Sequence, residues 1–135
     1  MATIFDKMNL KGQQEILVLN APDSFEKEIK ALAGVRVRRR VEEVKSLSFA
    51  LAFVTERAEL ARLSRTLAAK AVGDALLWFA YPKGTSKKYS CDFNRDDGWD
   101  ALRQAGFDSV RQVAVDQDWS ALRFRRIEYI QRPKP

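Results

Sequence analysis

Histidine is absent from the sequence of 135 residues, and cysteine occurs once, at Cys91. These two absences exclude Ser/His/Asp and Cys/His catalysis, histidine-ligated or cysteine-clustered zinc, iron–sulfur clusters and an internal disulfide. No apolar run approaches the roughly 20 residues that a membrane-spanning helix needs. The start of the chain also lacks the basic and then apolar pattern of a secretory signal. We therefore expect a cytoplasmic protein with no membrane association, and the lone thiol agrees with a reducing compartment.

The composition is that of one globular domain. Lysine and arginine total 24 against 18 acidic residues, which gives a formal charge of +6, and 46% of the residues are hydrophobic. This length supports a single core but not two. We therefore predict one domain over 1–135, with short flexible ends at about 1–12 and 131–135.

Apolar runs alternate with segments of helical periodicity along the chain. Strands are predicted over 15–20, 35–41, 48–54, 75–81, 110–115 and 120–130. Helices are predicted from Asp23 to Gly34, from 56 to 72 with Thr55 as the N-cap, and from 96 to 105. The run at 75–81 is apolar on both faces, which is typical of a central strand.

This alternation favours a small three-layer α/β domain. Its sheet of about six strands is expected to be mostly parallel, with an antiparallel hairpin at the C-terminal end. A ferredoxin-like α+β fold is the alternative, because no helix separates the strands at 35–41 and 48–54.

The carboxyl ends of parallel strands are where an open α/β sheet binds ligands. This rule selects Asn20, Thr55, the loop 83–88 and the turn 116–120. The loop holds three lysines, a glycine and two hydroxyl residues but no acid, so its amides and cations suit an anion. The predicted anion-binding residues are Lys83, Lys87, Lys88, Arg95, Trp119 and Ser120. Neither a Walker motif nor a Gly-x-Gly occurs, so no P-loop or dinucleotide site is expected. The competing interpretation is a solvated lysine loop, because exposed charges usually have little effect.

Arginines form a second cationic feature. Arg36, Arg38 and Arg40 lie in one predicted strand, and Arg123, Arg125 and Arg126 lie in the last. If both strands share one sheet edge, their arginines form an electropositive stripe that could bind nucleic acid. The competing interpretation is a basic strand face that prevents edge-to-edge association.

Other reactive side chains have simpler structural interpretations. Asp92, Asp96, Asp97 and Asp100 could hold magnesium or calcium, but helix capping and charge complementarity are favoured, and no metal site is predicted.

The tryptophans and the cysteine are also interpreted structurally, with one exception. Trp78 and Trp99 occupy inward positions and are predicted to be core residues, whereas Trp119 lies in a turn and could contact a ligand. Cys91 is expected to be an unreactive thiol.

Several motifs of the last 60 residues resemble those of a bacterial family of short proteins that is catalogued only as a domain of unknown function. They include Leu-Trp-Phe-Ala-Tyr-Pro-Lys over 77–83 and Trp-Ser-Ala-Leu-Arg-Phe-Arg over 119–125. The resemblance implies a stand-alone bacterial protein and assigns no site. The closing strand, turn and antiparallel strand also resemble the end of the methyltransferase-type α/β fold, although Asn-Ala-Pro replaces a glycine-rich loop after the first strand.

Three functional hypotheses follow. The first is a non-catalytic domain that binds an anionic ligand or a protein partner at the strand ends, with no cofactor. The second is a small histidine-independent enzyme in which Asp116 or Asp118 acts beside Lys83 or Tyr81. The third is weak nucleic-acid binding through the arginine strands. An exposed last edge strand would also permit a homodimer.

Overall fold

Six strands form one sheet in the computed structural model, which describes residues 3–130. The strands are β1 (Glu15–Leu19), β2 (Arg36–Arg38), β3 (Leu47–Phe53), β4 (Ala71–Pro82), β5 (Phe107–Ala114) and β6 (Trp119–Arg126). The α-helices are α1 (Ile4–Lys7), α2 (Glu26–Lys30), α3 (Arg57–Lys70) and α4 (Asp100–Gln104). Short 3₁₀ helices cover Asp23–Phe25, Val41–Glu43 and Ile127–Tyr129.

The strand order across the sheet is β2-β1-β3-β4-β6-β5. Strands β1 to β4 pair in parallel, whereas β6 is antiparallel to both β4 and β5. It follows that β5 runs in the same direction as β4. The predicted mixed sheet is confirmed, and the ferredoxin-like alternative is wrong because β2 and β3 lie on either side of β1 instead of pairing with each other.

Two apolar clusters cover the two faces of the sheet, which gives the three predicted layers. On one face α3 and α4 contribute Leu60, Leu63 and Leu102 to a core with Leu77 and Phe79. On the other face, side chains of α1, α2 and the first 3₁₀ helix pack on β1, β3 and β4; they are Phe5, Phe25 and Ile29. We refer to these as the α3 face and the α1 face.

Strand β4 is the centre of the molecule. Its residues from Ala75 to Tyr81 are all buried, because each face of the strand carries apolar side chains and a helical layer. Trp78 lies on the α1 face, and Trp99, the N-cap of α4, lies on the α3 face. Both are fully buried, as predicted.

Two helices begin at other residues than predicted, because side chains elsewhere accept the hydrogen bonds of backbone amides near their N-terminal ends. Helix α3 has Glu56 as its N-cap, not Thr55, and the carboxylate of Asp92 accepts the Arg57 amide at 2.5 Å. The helix predicted over 96–105 begins only at Asp100. The preceding residues form turns in which Asn94 accepts the Asp96 amide and Gly98 adopts φ +101°.

The other predicted boundaries shift by smaller amounts. The helix predicted from Asp23 to Gly34 is a 3₁₀ turn followed by α2, which ends at Lys30. The strand predicted over 35–41 shortens to β2, and the strand predicted over 120–130 ends at Arg126 in a 3₁₀ turn.

The segment before β1, where the sequence predicts a flexible end over 1–12, packs on the α1 face in its described part. Thr3 and Asp6 form a reciprocal capping box that starts α1. Phe5 and Met8 are buried, and the Trp78 indole N–H donates to the Met8 carbonyl at 3.0 Å. Residues 1, 2 and 131–135 lie outside the described residues.

The helices within residues 3–130 include none with the length and apolar character needed to cross a membrane.

Candidate functional site

Two grooves open at the sheet edge where β1, β3 and β4 end. The Tyr81 groove has a volume of about 630 Å³ and lies on the α3 face, beyond β4. The Asn20 groove has a volume of about 360 Å³ and lies beyond β1 and β3. Tyr89 lines both grooves. Because the strands that end here are parallel, the shared edge predicted from the sequence exists.

The loop after β4 is ordered by the side chain of Ser86. Its hydroxyl donates to the Asp118 carboxylate at 2.9 Å and accepts the amides of Lys88 and Tyr89 at 3.3 and 3.1 Å. The Ser86 amide in turn donates to the Lys83 carbonyl at 3.0 Å. These amides are therefore engaged within the protein, so the nest that the sequence predicted here has fewer free donors than expected.

The turn between β5 and β6 is hydrogen-bonded to this loop. Asp116 accepts the amides of Asp118 and Trp119 at 2.8 and 2.9 Å, which is the geometry of an Asx turn. The Asp118 carbonyl accepts the Lys83 amide at 2.8 Å. Asp116 and Asp118 thus act as hydrogen-bond acceptors that join this turn to the loop after β4.

A chain of polar side chains crosses the wall of the Tyr81 groove. The Arg95 guanidinium donates to the Gln112 side-chain carbonyl at 3.4 Å, and the Gln112 amide donates to the Tyr81 hydroxyl at 3.2 Å. Since this hydroxyl serves as an acceptor, its own proton is available to a ligand. Gln112 faces the groove because a bulge in β5 between Ser109 and Arg111 resets the alternation of side chains.

The charge on the described lining of the Tyr81 groove is positive. Lys83 and Arg95 are its cations, and its described residues include no carboxylate. Arg95 lies 3.7 Å from the exposed carboxylate of Asp96, outside that lining, whereas no carboxylate among residues 3–130 pairs with Lys83. Burial raises the pKa of Tyr81 and the pKa of Cys91, so both stay protonated at neutral pH and add no negative charge.

The predicted anion-binding residues separate into two groups. Lys83, Arg95 and Ser120 all line the Tyr81 groove. Lys87 and Lys88 are exposed and lie outside its lining, and the Lys88 ammonium sits 5.6 Å from the centroid of the Tyr89 ring. Trp119 is buried and lines the Asn20 groove instead, where its ring packs 4.8 Å from Tyr89.

Tyr81 and Gln112 also belong to the groove. Tyr81, at the end of a predicted strand, was named from the sequence only in the enzyme hypothesis and not as an anion-binding residue. Gln112 has no signal in the sequence, because its face depends on the bulge in β5.

The Asn20 groove has a different chemical character. Its polar lining includes Asn20, Thr55 and the carboxylates Asp23 and Glu59, and its apolar lining includes Phe53 and Trp119. The Asn20 amide is already used, since it donates to the Phe53 carbonyl at 3.3 Å and ties the ends of β1 and β3 together.

The aspartates between 92 and 100 act through arginines and backbone amides. Arg57 donates to both carboxylate oxygens of Asp97 at 3.0 and 2.5 Å, which lowers the pKa of Asp97. Asp92 accepts the first amide of α3, and Asp100 lies 4.0 Å from Arg103. In residues 3–130, no group of three or more Cys, Asp or Glu side chains is placed to hold a metal ion.

The two arginine strands do not form one stripe. Strand β2 is at one edge of the sheet, and β6 lies in the opposite half, between β4 and β5. Arg38 pairs with Glu15 at 3.2 Å and Arg39 pairs with Glu26, while Arg36 and Arg40 are exposed. The common electropositive edge that the nucleic-acid hypothesis requires is therefore absent from the described part of the chain.

Comparison with known proteins identifies the fold. No family model matches the sequence, and no curated protein matches it. Among solved structures, the magnesium protoporphyrin IX methyltransferase ChlM from Synechocystis PCC 6803 with bound SAH superposes with a TM-score of 0.58. It is 12% identical, and the match covers 91% of this chain and 78% of ChlM.

Two further methyltransferases give similar superpositions. The mitomycin 7-O-methyltransferase MmcR has a TM-score of 0.62 at 10% identity, over 85% of this chain but only 49% of MmcR. The N-methyltransferase NodS from Bradyrhizobium japonicum WM9 has a TM-score of 0.53 at 10% identity, over 84% of this chain and 85% of NodS. At these identities the likeness establishes a methyltransferase-like α/β fold and no more.

Proposed function

We propose that this protein is a non-catalytic α/β domain that binds a small anionic ligand in the Tyr81 groove. The observation that supports this proposal is the polar chain from Arg95 through Gln112 to Tyr81, in a groove whose second cation is Lys83. The volume of about 630 Å³ lies within the range of small-molecule sites.

The groove offers complementary groups to each part of an organic acid. Lys83 and Arg95 supply positive charge, and the hydroxyls of Tyr81 and Ser120 supply hydrogen bonds. Pro82 and Phe93 supply an apolar wall for the body of the ligand. Because Lys83 pairs with no described carboxylate, its charge is available to a ligand.

Catalysis with SAM is the alternative that the structural neighbours suggest, and the residues present do not fit that cofactor. Doubly wound folds hold nucleotide cofactors at a glycine-rich turn after the first strand, where the backbone approaches the ligand closely. Here the turn is Asn20-Ala-Pro-Asp, in which Pro22 lacks an N–H and Asn20 is bonded to Phe53. No glycine opens this turn to a close approach.

The end of β2 also lacks the acidic side chain that a nucleotide cofactor requires. Folds of this type place an acidic side chain there to bind ribose hydroxyls. This chain has Arg39 and Arg40, and the nearby carboxylate of Glu43 accepts both of their amides at 3.4 and 3.2 Å. We therefore derive no methyl-transfer step for this protein.

The proposal is tested by isothermal titration with citrate as the anionic probe. We expect Lys83→Gln and Arg95→Gln each to weaken binding about tenfold, since a hydrogen bond to a charged group contributes about 1.5–3 kcal/mol. Lys87→Gln is the matched control, because it removes the same charge from the same loop outside the groove lining. Its affinity should equal that of the wild type.

Ionic strength supplies a second readout. Binding should weaken steeply as sodium chloride is raised, because the charges of the groove face solvent. Equal citrate affinity in the wild type, Lys83→Gln and Arg95→Gln would overturn the proposal.

A further inference from the structure

Three arginines share the α1 face of the β5–β6 hairpin, opposite the Tyr81 groove. The register places Arg111 directly across from Arg123, and Arg123 lies across from Trp78 on its other side. Since Trp78 packs on the α1 face, Arg123 and its cross-strand partner Arg111 project from that face as well. Arg125, two residues along β6, lies on the same face.

Among residues 3–130, a direct ion pair with an acidic side chain is formed by one of these three arginines, Arg125. Arg125 donates to both carboxylate oxygens of Asp74, at 2.8 and 2.6 Å, and its register partner is Asp108. Asp108 also lies 3.8 Å from Arg103. No described carboxylate forms an ion pair with Arg111 or Arg123, although Asp74 is close enough to Arg123 to act on its charge.

Arg123 is held in an unfavourable environment. Its Nε atom is buried and has no hydrogen-bond partner among the described residues. Burial lowers the pKa of Arg123, and the charges of Arg125 and Arg111 lower it further, against the opposing effect of Asp74. Like charges directly across a strand pair destabilise a sheet, and a buried donor without an acceptor costs free energy.

An anion with several oxygens would remove the like-charge repulsion, because its negative charge would lie between the two guanidinium groups. A phosphate group presents oxygens in the geometry that the planar guanidinium binds, and two arginines can share one such group. We propose that Arg111 and Arg123 form a phosphate-binding site on the α1 face, for free phosphate or for the phosphodiester groups of a nucleic acid. This site lies on the opposite side of the sheet from the Tyr81 groove and does not depend on it.

The test follows the arginine Nε–Hε signals of ¹⁵N-labelled protein by NMR during titration with inorganic phosphate. We expect the signals of Arg111 and Arg123 to shift together. Arg111→Gln and Arg123→Gln should each weaken this binding about tenfold or more. Arg65→Gln is the control, because Arg65 is an exposed arginine on α3, and it should bind phosphate as the wild type does.

A second titration, with single-stranded oligothymidylate, distinguishes the two sources of phosphate. If the ligand is a phosphodiester group, both Arg111→Gln and Arg123→Gln should bind the oligonucleotide more weakly than the wild type does. Their binding should also depend less on salt concentration than wild-type binding. Binding of inorganic phosphate alone identifies free phosphate.

Folding of the variants is checked by their thermal unfolding without phosphate. Either glutamine variant should unfold at the wild-type temperature or above it, because the like-charge contact is removed. Unshifted Arg111 and Arg123 signals, or wild-type binding of both probes by the folded glutamine variants, would overturn the site.

Discussion

The hydroxyl of Ser86 donates to the carboxylate of Asp118 across 2.9 Å and joins the loop after β4 to the turn between β5 and β6. The two segments are 32 residues apart in sequence. Since Lys83 begins this loop and Ser120 follows this turn, the Ser86–Asp118 bond fixes the mouth of the Tyr81 groove.

Replacing Ser86 with alanine should loosen that loop. The substitution removes one side-chain donor and the acceptor of two amides, so we expect a loss of about 1–2 kcal/mol in the free energy of unfolding. The Lys88 and Tyr89 amides should exchange faster with solvent deuterium. Thr85→Ala is the control, because Thr85 is exposed; equal exchange in both variants would contradict the assignment.

Phe5→Ala tests the packing of the segment before β1. Phe5 is 2% exposed and its ring contacts Phe25 and Phe49, so the cavity should cost about 3–5 kcal/mol. The measurement is unfolding in urea. A loss below about 0.5 kcal/mol, as for an exposed residue, would support the prediction of a flexible end over 1–12.

Acid titration tests the ion pair between Asp74 and Arg125. Hydrogen bonds from Arg125 lower the pKa of Asp74 below its usual value of 3.8, against the smaller effect of burial. The stability this provides is present above that value and is lost as the pH falls through the lowered pKa. Arg125→Gln should move the pKa of Asp74 upward, measured by ¹³C NMR of its carboxyl group. An unchanged pKa would exclude the pairing, and Arg65→Gln is the control.

Ionisation of Tyr81 should lower the stability of the protein at alkaline pH. Burial raises the pKa of Tyr81 above its usual value of 10.0. The neutral hydroxyl therefore contributes stability below about pH 10, and this contribution is lost as the pH rises through the raised pKa. The free energy of unfolding of the wild type should fall relative to that of Tyr81→Phe above about pH 10. A constant difference between the two would contradict the burial of this hydroxyl.

The sequence was sufficient to predict the layers of the fold because its apolar runs are strong and local. The run at 75–81 has no polar face, which left a central strand as the simplest solution, and Trp78 lies in the core accordingly. Helix α1 could not be predicted, since it has only four residues and its C-cap Met8 is held by a bond from the Trp78 indole, 70 residues away.

The candidate site was predictable in part for the same reason. Lys83 and Ser120 lie at the end of β4 and the start of β6, two strand ends that the sequence predicts to within one residue. Gln112 was missed because a bulge in β5 determines its face, and hydrophobic alternation does not reveal a bulge. Trp119 was predicted to lie in a turn, but it begins β6 and its buried ring packs on Phe53 at 5.1 Å.

The most direct test of the proposed function is the side-chain amide signal of Gln112 in ¹⁵N-labelled protein during a citrate titration. Gln112 lies between Arg95 and Tyr81, so an anion in the groove changes its hydrogen bonds. We predict a saturable shift of this signal and of Arg95 Nε–Hε in the wild type and in Lys87→Gln, and a weaker response in Lys83→Gln. Citrate shifts confined to Lys87, Lys88 and other exposed cations, with Gln112 unmoved, would contradict the account.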